Sequence, residues 1–521
     1  MLKKEVNEIK FKEPYILYTI HFDLSTELTP RILSNILKNL RNLECLSSCI
    51  KLSKTTRRLI IEGEKDSFLS KQLEIDLLFF SPDYYRSGRF CRFKLKRFEI
   101  KKYVIFTEKG RGIILEKPSI YMTLYDCGVG ELTIIAKLCA EDGDAISTDE
   151  LIEVLNNLLS EQGINSEIMV PQNALETFLR TADPTHPGEK DALTKIQKSS
   201  FLKGENITCI SNLSLYQFFK LIRNWLIEIV RGKRFSSYKE FLTTLRNRTN
   251  MIIIGLIIHK LEPKPKDLSS LVSSETFRRQ IYGIITRDKN WRIIDAERVF
   301  NLISPNLSCR RNSAMFLGFD SYLLFYLDPR YKIDNYNFPL SVIRAISSYN
   351  IVRFVKYALW VYNNYLLSTA RVKKPEDVAR LRELISRYID YYYSLEFLDE
   401  SASLAEDKII IEKARELIYI RRTYNILRAN LDQLDRRISI IHSRATERAL
   451  TLLNIIVSGT IAFALIDKVF IQFIPQPITT WLYLPAWFSV AVVLYLVTRI
   501  IHQRLVQEAL RGTRIRISES E

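Results

Sequence analysis

Hydrophobic and polar positions change their period along this chain, and each change marks a different kind of element. Tyr15–Ile20 and Arg58–Glu62 read as strands on either side of a helix over Thr29–Leu43. Tyr103–Phe106 and Ile113–Leu115 read as a hairpin turning through Gly110 and Gly112. Ile120–Tyr125 and Leu132–Leu138 read as a second hairpin, turning through Asp126–Gly130. A helix is predicted from Asp149 to Leu159 and an amphipathic one over Leu213–Val230. Met251–Ile258 reads as a buried strand, too short to cross a bilayer as a helix. Helices take over from about Ser341, and residues 376–458 contain neither Gly nor Pro.

Within that stretch one pattern is regular. Leu417, Ile420, Tyr424, Leu427, Leu431, Leu434, Ile438, Ile441 and Ala445 alternate spacings of three and four, a heptad seam of about four repeats. It runs without a breaker into an apolar run at Leu450. The pattern predicts one helix of at least ~50 residues, about 75 Å long. Its seam has two candidate partners: an intramolecular helix over Ser341–Ser368 or Glu376–Ser394, and identical helices of a symmetric oligomer.

Two apolar runs follow, Leu450–Pro475 and Gln476–Thr498, the second without a charge. About 20 apolar residues span a bilayer, so the expectation is a C-terminal transmembrane hairpin. Arg436, Arg437, Arg444 and Arg448 precede it and Arg499, Arg504, Arg511, Arg514 and Arg516 follow it, which would put both termini in the cytoplasm. The reading is thus an α+β cytoplasmic domain over 1–320 with a break near 180–200 and a helical stalk region over 321–449. Two transmembrane helices at about 450–474 and 479–501 and a basic cytoplasmic tail over 502–521 complete it. The expected location is the plasma membrane, multi-pass, with membrane lipid as a partner.

Composition sharpens this only in part. The net charge of +17 suits an anionic leaflet or a generally basic surface, and nucleic acid is disfavoured. Sixteen glycines among 521 residues are few, and the abundance of Ile, Lys, Arg and Glu suits long helices and a heat-adapted source. Met1–Pro14 has no signal-peptide core. The seven cysteines lack a second pair or a nearby His that would complete a zinc pattern, so reduced structural thiols are expected.

Catalytic signals are absent. Asp126–Glu131 has the glycines of a phosphate loop but no Lys-Ser/Thr ending, and a strand follows it, so a tight turn is expected. The histidines at 21, 186, 259, 442 and 502 are scattered, and no enzyme is expected. Arg86–Lys102 interleaves basic residues with Phe90, Phe93 and Phe98; its alternation favours a half-exposed strand over a nucleic-acid platform.

The layout of α/β region, stalk helix, paired spans and basic tail resembles the CorA-type divalent cation transporters. The resemblance implies a pentamer and a transported or regulatory divalent cation such as magnesium; no other cofactor is expected. It is one of layout: the family's Gly-Met-Asn signature is absent, and Val469–Pro477 stands in its place. Asn454, Ser458 and Ala462, four apart, are candidate pore-lining residues; helix packing is the alternative. Asp467 is a candidate acid at the outer mouth, although at 100° per residue it lies off that stripe. Arg499, Arg504 and Arg511 are a candidate basic collar. Two functions stay open: a CorA-like cation channel, and an anchored sensor, scaffold or defence effector without transport.

Overall fold

The computed structural model describes residues 8–24, 28, 30–43, 45–52, 59–79, 90–160, 165–181, 187–202, 206–231, 249–265, 267–295, 303–308, 310–328, 333, 336–369, 386, 405–473, 485, 488–489, 492–493 and 495–496. Its strands are β1 (Lys10–Phe11), β2 (Tyr15–Asp23), β3 (Leu46–Leu52), β4 (Leu59–Gly63), β5 (Phe90–Leu95), β6 (Lys102–Phe106), β7 (Gly112–Tyr125), β8 (Val129–Ala140), β9 (Ser166–Pro171), β10 (Ser200–Leu202), β11 (Ile207–Ser211), β12 (Met251–Ile258), β13 (Leu261–Glu262), β14 (Ser313–Leu317) and β15 (Ser321–Tyr326). Its helices are α1 (Pro30–Asn42), α2 (Ser67–Phe79), α3 (Thr148–Leu159), α4 (Gln172–Thr181), α5 (Pro187–Gln197), α6 (Leu215–Arg231), α7 (Leu268–Ser273), α8 (Glu275–Thr286), α9 (Leu340–Thr369), α10 (Ala405–Leu417) and α11 (Ile420–Phe473). Contacts divide the chain into two units, Met1–Arg428 and Ala429–Glu521.

In the first unit thirteen strands make one sheet, ordered β10-β11-β9-β6-β7-β8-β2-β12-β15-β14, with β5, β3 and β4 branching from β7. All pairings are antiparallel except β12 with β15, whose connection runs through α7 and α8. β2 lies at the centre and every one of its nine residues is buried, because both faces of the sheet are covered. Ile16, Tyr18, Ile20 and Phe22 join an apolar core with Leu33 of α1, Leu155 of α3 and Phe219 of α6. The alternate residues Tyr15, Thr19 and His21 face the other way, where Phe338 packs on Tyr15, and Phe354 and Tyr357 of α9 lie over His21.

The two sheet faces differ in chemistry. Pairing across β5, β7, β8 and β2 sets Arg92, Thr123, Glu131 and His21 in one row under α9. Lys94, Tyr121, Thr133 and Thr19 form the next row, and Glu116, Lys137 and Tyr15 lie in another nearer the far end. β7 serves two partners because it bends. Its register with β8 shifts between Glu116 and Ser119, where Lys117 and Pro118 form a bulge. Below the bulge β7 pairs with β6, and above it with β5.

Local signals account for several ends. Ser147 caps α3, accepting from the Glu150 amide while the Glu150 carboxylate accepts from the Ser147 amide. Ser147→Ala is expected to cost about 1 kcal/mol, measured as a lowered urea midpoint at unchanged slope. α10 and α11 are separated at Tyr419, whose φ is 52°. Asp407 of α10 pairs with Arg344 of α9, and Lys356 of α9 donates to the Thr423 hydroxyl. The N-terminal end of the heptad seam is therefore packed within the chain: Ile420 and Leu427 are buried, and Tyr424 is half-buried.

α11 is one helix of 54 residues, as the pattern predicted. The expected transmembrane hairpin is not found. Among the described residues no helix is long and apolar enough to cross a membrane. The multi-pass plasma-membrane location and the ion-transport reading built on that hairpin are corrected accordingly.

Candidate functional site

A charged cleft of about 350 Å³ opens at the far end of the α9-side sheet face. Glu13, Tyr15, Glu116, Lys117, Lys137, Lys260, Ile333 and Tyr336 line it. Strand pairing brings them together: Tyr15 of β2 faces Lys137 of β8, which faces Glu116 of β7. Lys260 sits just beyond β12, on the other side of β2. The Tyr15 ring packs edge-on against Tyr336, and its hydroxyl donates to the Ile333 carbonyl at 3.1 Å.

The charges are arranged as a chain. Lys137 Nζ lies 3.0 Å from Glu13 Oε1 and 3.6 Å from Glu116 Oε2. Lys260 Nζ lies 2.8 Å from Glu13 Oε2. The hydrogen bond from Lys260, with that from Lys137, outweighs desolvation and lowers the Glu13 carboxyl to about 2. Burial alone would lower the Lys137 ammonium, but Glu13, Cys139 and Glu116 outweigh it and raise it. Lys117 is exposed and has no ion-pair partner among the described residues. Three lysines against two glutamates leave the cleft one positive charge in excess.

Backbone geometry concentrates here too. Glu13, Lys117 and Tyr336 have φ of 51°, 44° and 62°. Left-handed backbone costs of order 1 kcal/mol or more for a residue with a side chain, and it persists only where the surroundings enforce it. The enforcement is visible at Tyr336, whose hydroxyl donates to the carbonyl of Glu116 at 2.9 Å and to that of Lys117, clamping the bulge.

Nucleophilic chemistry has no support in the cleft. The Cys139 thiol, 3.6 Å from Glu116 Oε2, is pushed up to about 11, by burial first and by the nearby carboxylates. A thiol so placed stays protonated at neutral pH. Burial likewise raises the Tyr336 hydroxyl well above its ordinary value. What the cleft offers is fixed donors, fixed acceptors and an aromatic edge, the equipment of a binding site.

Under α9 lies a second polar constellation, closed to solvent. His21 Nε2 is 3.2 Å from Glu131 Oε2, and Arg92 approaches Oε1 at 3.9 Å. The Tyr125 and Thr123 hydroxyls donate to Glu131 at 3.4 Å each. Desolvation would raise the Glu131 carboxyl, but His21, Arg92 and Tyr125 outweigh it and hold it below its ordinary value. Glu131 is 6 % exposed and His21 0 %. This is an internal polar row that ties strands together.

The residues singled out from sequence lie elsewhere. Asn454 is half-buried and Ser458 and Ala462 are buried in the second unit, while Leu452, Leu453 and Ile456 of the same helix are exposed. An apolar groove lined by Ile455, Ile456, Gly459, Phe463, Phe488 and Val492, with Thr460 and Tyr495, lies in this unit. Asp467 is on α11, but its side chain, like Arg499, Arg504 and Arg511, lies outside the described residues. Asp126–Gly130 is the tight turn expected, with Gly128 at φ 77° and β8 following. The basic β5 residues Arg92 and Lys94 turn inward, to Glu131 and Asp66. Of the cysteines, Cys45, Cys49, Cys91 and Cys127 are buried and in no disulfide, and burial pushes Cys91 up to about 12. Among the described residues no cluster of His, Cys, Asp and Glu could hold a metal ion.

The cleft escaped sequence reasoning because its residues lie up to 323 positions apart, from Glu13 to Tyr336. One signal was present. Glu116-Lys-Pro118 interrupts an otherwise alternating strand, and a proline inside a strand marks an edge or a bulge. No family model, no curated protein and no solved structure matches this chain.

Proposed function

We propose that this protein is a binding module, a sensor or scaffold rather than a catalyst. Its ligand site is the cleft over β2, β7 and β8. The ligand is small and polar and carries at least one acidic group. The observation that carries this reading is the convergence of three left-handed non-glycine residues and a β-bulge on a single cleft with one cation in excess. In this reading Lys117 meets the acidic group. Lys137 and Lys260, already oriented by Glu13, supply further donors, and Glu116 accepts from a hydroxyl or amine. Preset donors and acceptors bind without first losing side-chain freedom.

The test uses the full chain with glycine, glutamate, succinate and inorganic phosphate at constant ionic strength. At least one is expected to raise the melting temperature by a few degrees. Lys117→Met is expected to weaken that ligand about tenfold, or ~1.4 kcal/mol. Because Lys117 is exposed, the substitution should shift the unliganded stability by no more than ~0.5 kcal/mol. Lys117→Met binding as tightly as wild type, or no response to any of the four, would sink the reading.

A further inference from the structure

Three cations lie where α9 runs past the start of α11, on elements that contribute nothing to the lining of the cleft. Arg353 of α9 is 2 % exposed, among the most deeply buried large side chains described. Its guanidinium lies 5.1 Å over the Phe319 ring and donates to the Phe319 carbonyl, while its Nε has no hydrogen-bond partner. Lys356, one turn further along α9, donates to the Thr423 hydroxyl. Arg422 is the residue before that threonine and is exposed. Burial lowers the Lys356 ammonium, and the charges of Arg353 and Arg422 lower it further.

Among the described residues no carboxylate pairs with this group. None of the three makes an ion pair among the described residues, and no carboxylate offsets the fall at Lys356. Three acids on neighbouring elements are committed elsewhere. Asp320, next to Phe319, is held at 3.1 and 2.8 Å by both arms of Arg287. Asp407 is held by Arg344, and Glu416 by Lys413 at 2.6 Å. A ring face, a carbonyl and a hydroxyl satisfy hydrogen bonds but carry no net charge. A buried cation without a counter-charge costs several kcal/mol.

We propose that Arg353, Lys356 and Arg422 form a site for a phosphate-type oxyanion, either free or as part of a larger phosphorylated ligand. A tetrahedral oxyanion accepts from several donors at once. Arginine's planar fork suits two of its oxygens, and lysine supplies a point charge. The site sits at the joint between α9 and α11, so its occupant would tie the long helix to the helix that covers the sheet. This inference is independent of the ligand proposed for the cleft.

The experiment titrates the full chain with pyrophosphate and, separately, with ATP. Calorimetry and thermal melting follow binding, with chloride matching ionic strength. Pyrophosphate is expected to raise the melting temperature beyond the chloride control. Arg422→Ala, at an exposed position, is expected to weaken binding about tenfold without altering the unliganded melt. Lys356→Met is expected to weaken it at least as much. Lys117→Met in the cleft should leave pyrophosphate binding unchanged, which separates the two sites. Equal affinities for pyrophosphate and ATP would identify the phosphate group alone as what is read. Tighter ATP binding would extend the site to a nucleotide. Pyrophosphate no better than chloride, or Arg422→Ala and Lys356→Met both binding like wild type, overturns the proposal.

Discussion

Glu131→Gln is expected to lower the free energy of unfolding by about 3 kcal/mol at neutral pH, because it removes the carboxylate beside Arg92 in a buried row. Glu131 sits between His21 Nε2 at 3.2 Å and Arg92 at 3.9 Å and accepts from two hydroxyls, with only 6 % of its surface exposed. The amide keeps the shape but turns a donor toward groups that already donate, and it leaves Arg92 without that neighbouring charge. His21 gains no substitute, since its Nδ1 already lacks a hydrogen-bond partner. The pH dependence has a definite sign. Glu131 is held below its ordinary value of 4.5, so its contribution is complete above that value and is lost as pH falls through the lower folded value. Urea unfolding of both proteins across pH 3 to 7 should therefore show a gap that is widest near neutrality and closes in acid. A gap that is constant with pH, or smaller than ~0.5 kcal/mol throughout, would show that the row is not held by this charge.

The second large effect is expected at Gly255, in the middle of β12. A Cβ built there would stand 1.9 Å from Cζ of Tyr322 and 2.2 Å from its hydroxyl oxygen. Tyr322 pairs with Gly255 across the parallel β12–β15 ladder and lays its ring over it. The ring has nowhere to go: it is 2 % exposed and packs edge-on against Tyr349 at 5.4 Å. Gly255→Ala should therefore cost ~3 kcal/mol or more, the upper end of overpacking effects. Tyr322→Leu alone should also destabilise, by leaving a cavity. Combined, the two should cost clearly less than their sum, because the leucine vacates the space the new methyl needs. Strict additivity in denaturant unfolding would refute this account of the glycine.

How much of this was legible in advance depends on the range of the interaction. The strand at Tyr15, the helix at Thr29, both hairpins, the helix at Asp149 and the strand at Met251 all follow from local period and turn glycines, and the structure has them within a few residues. The 54-residue helix followed from the heptad seam that runs into the apolar run at Leu450. The sites were not legible, because each is made by strand neighbours far apart in the chain. His21 and Glu131 are 110 residues apart and adjacent on the sheet, and neither carried a motif. Gly255 read as one residue of an apolar strand, because nothing local announces that Tyr322 will lie across it. The apolar runs after Leu450 show the opposite failure, a strong local signal taken for a membrane hairpin that the described residues do not form.

The position of β2 at the centre of the sheet has a consequence for how the protein is made. Its partners are β8, from Val129, and β12, from Met251. A ribosome adding 5–20 residues per second needs about 5–20 s after Asp23 to reach the first partner and roughly 11–46 s to reach the second. For that interval an apolar strand leaves the exit tunnel with neither edge covered. Nascent chains stalled before residue 129 should therefore be the ones that most need a chaperone, and a slow, late-closing sheet of this kind sets the pace of the whole first unit.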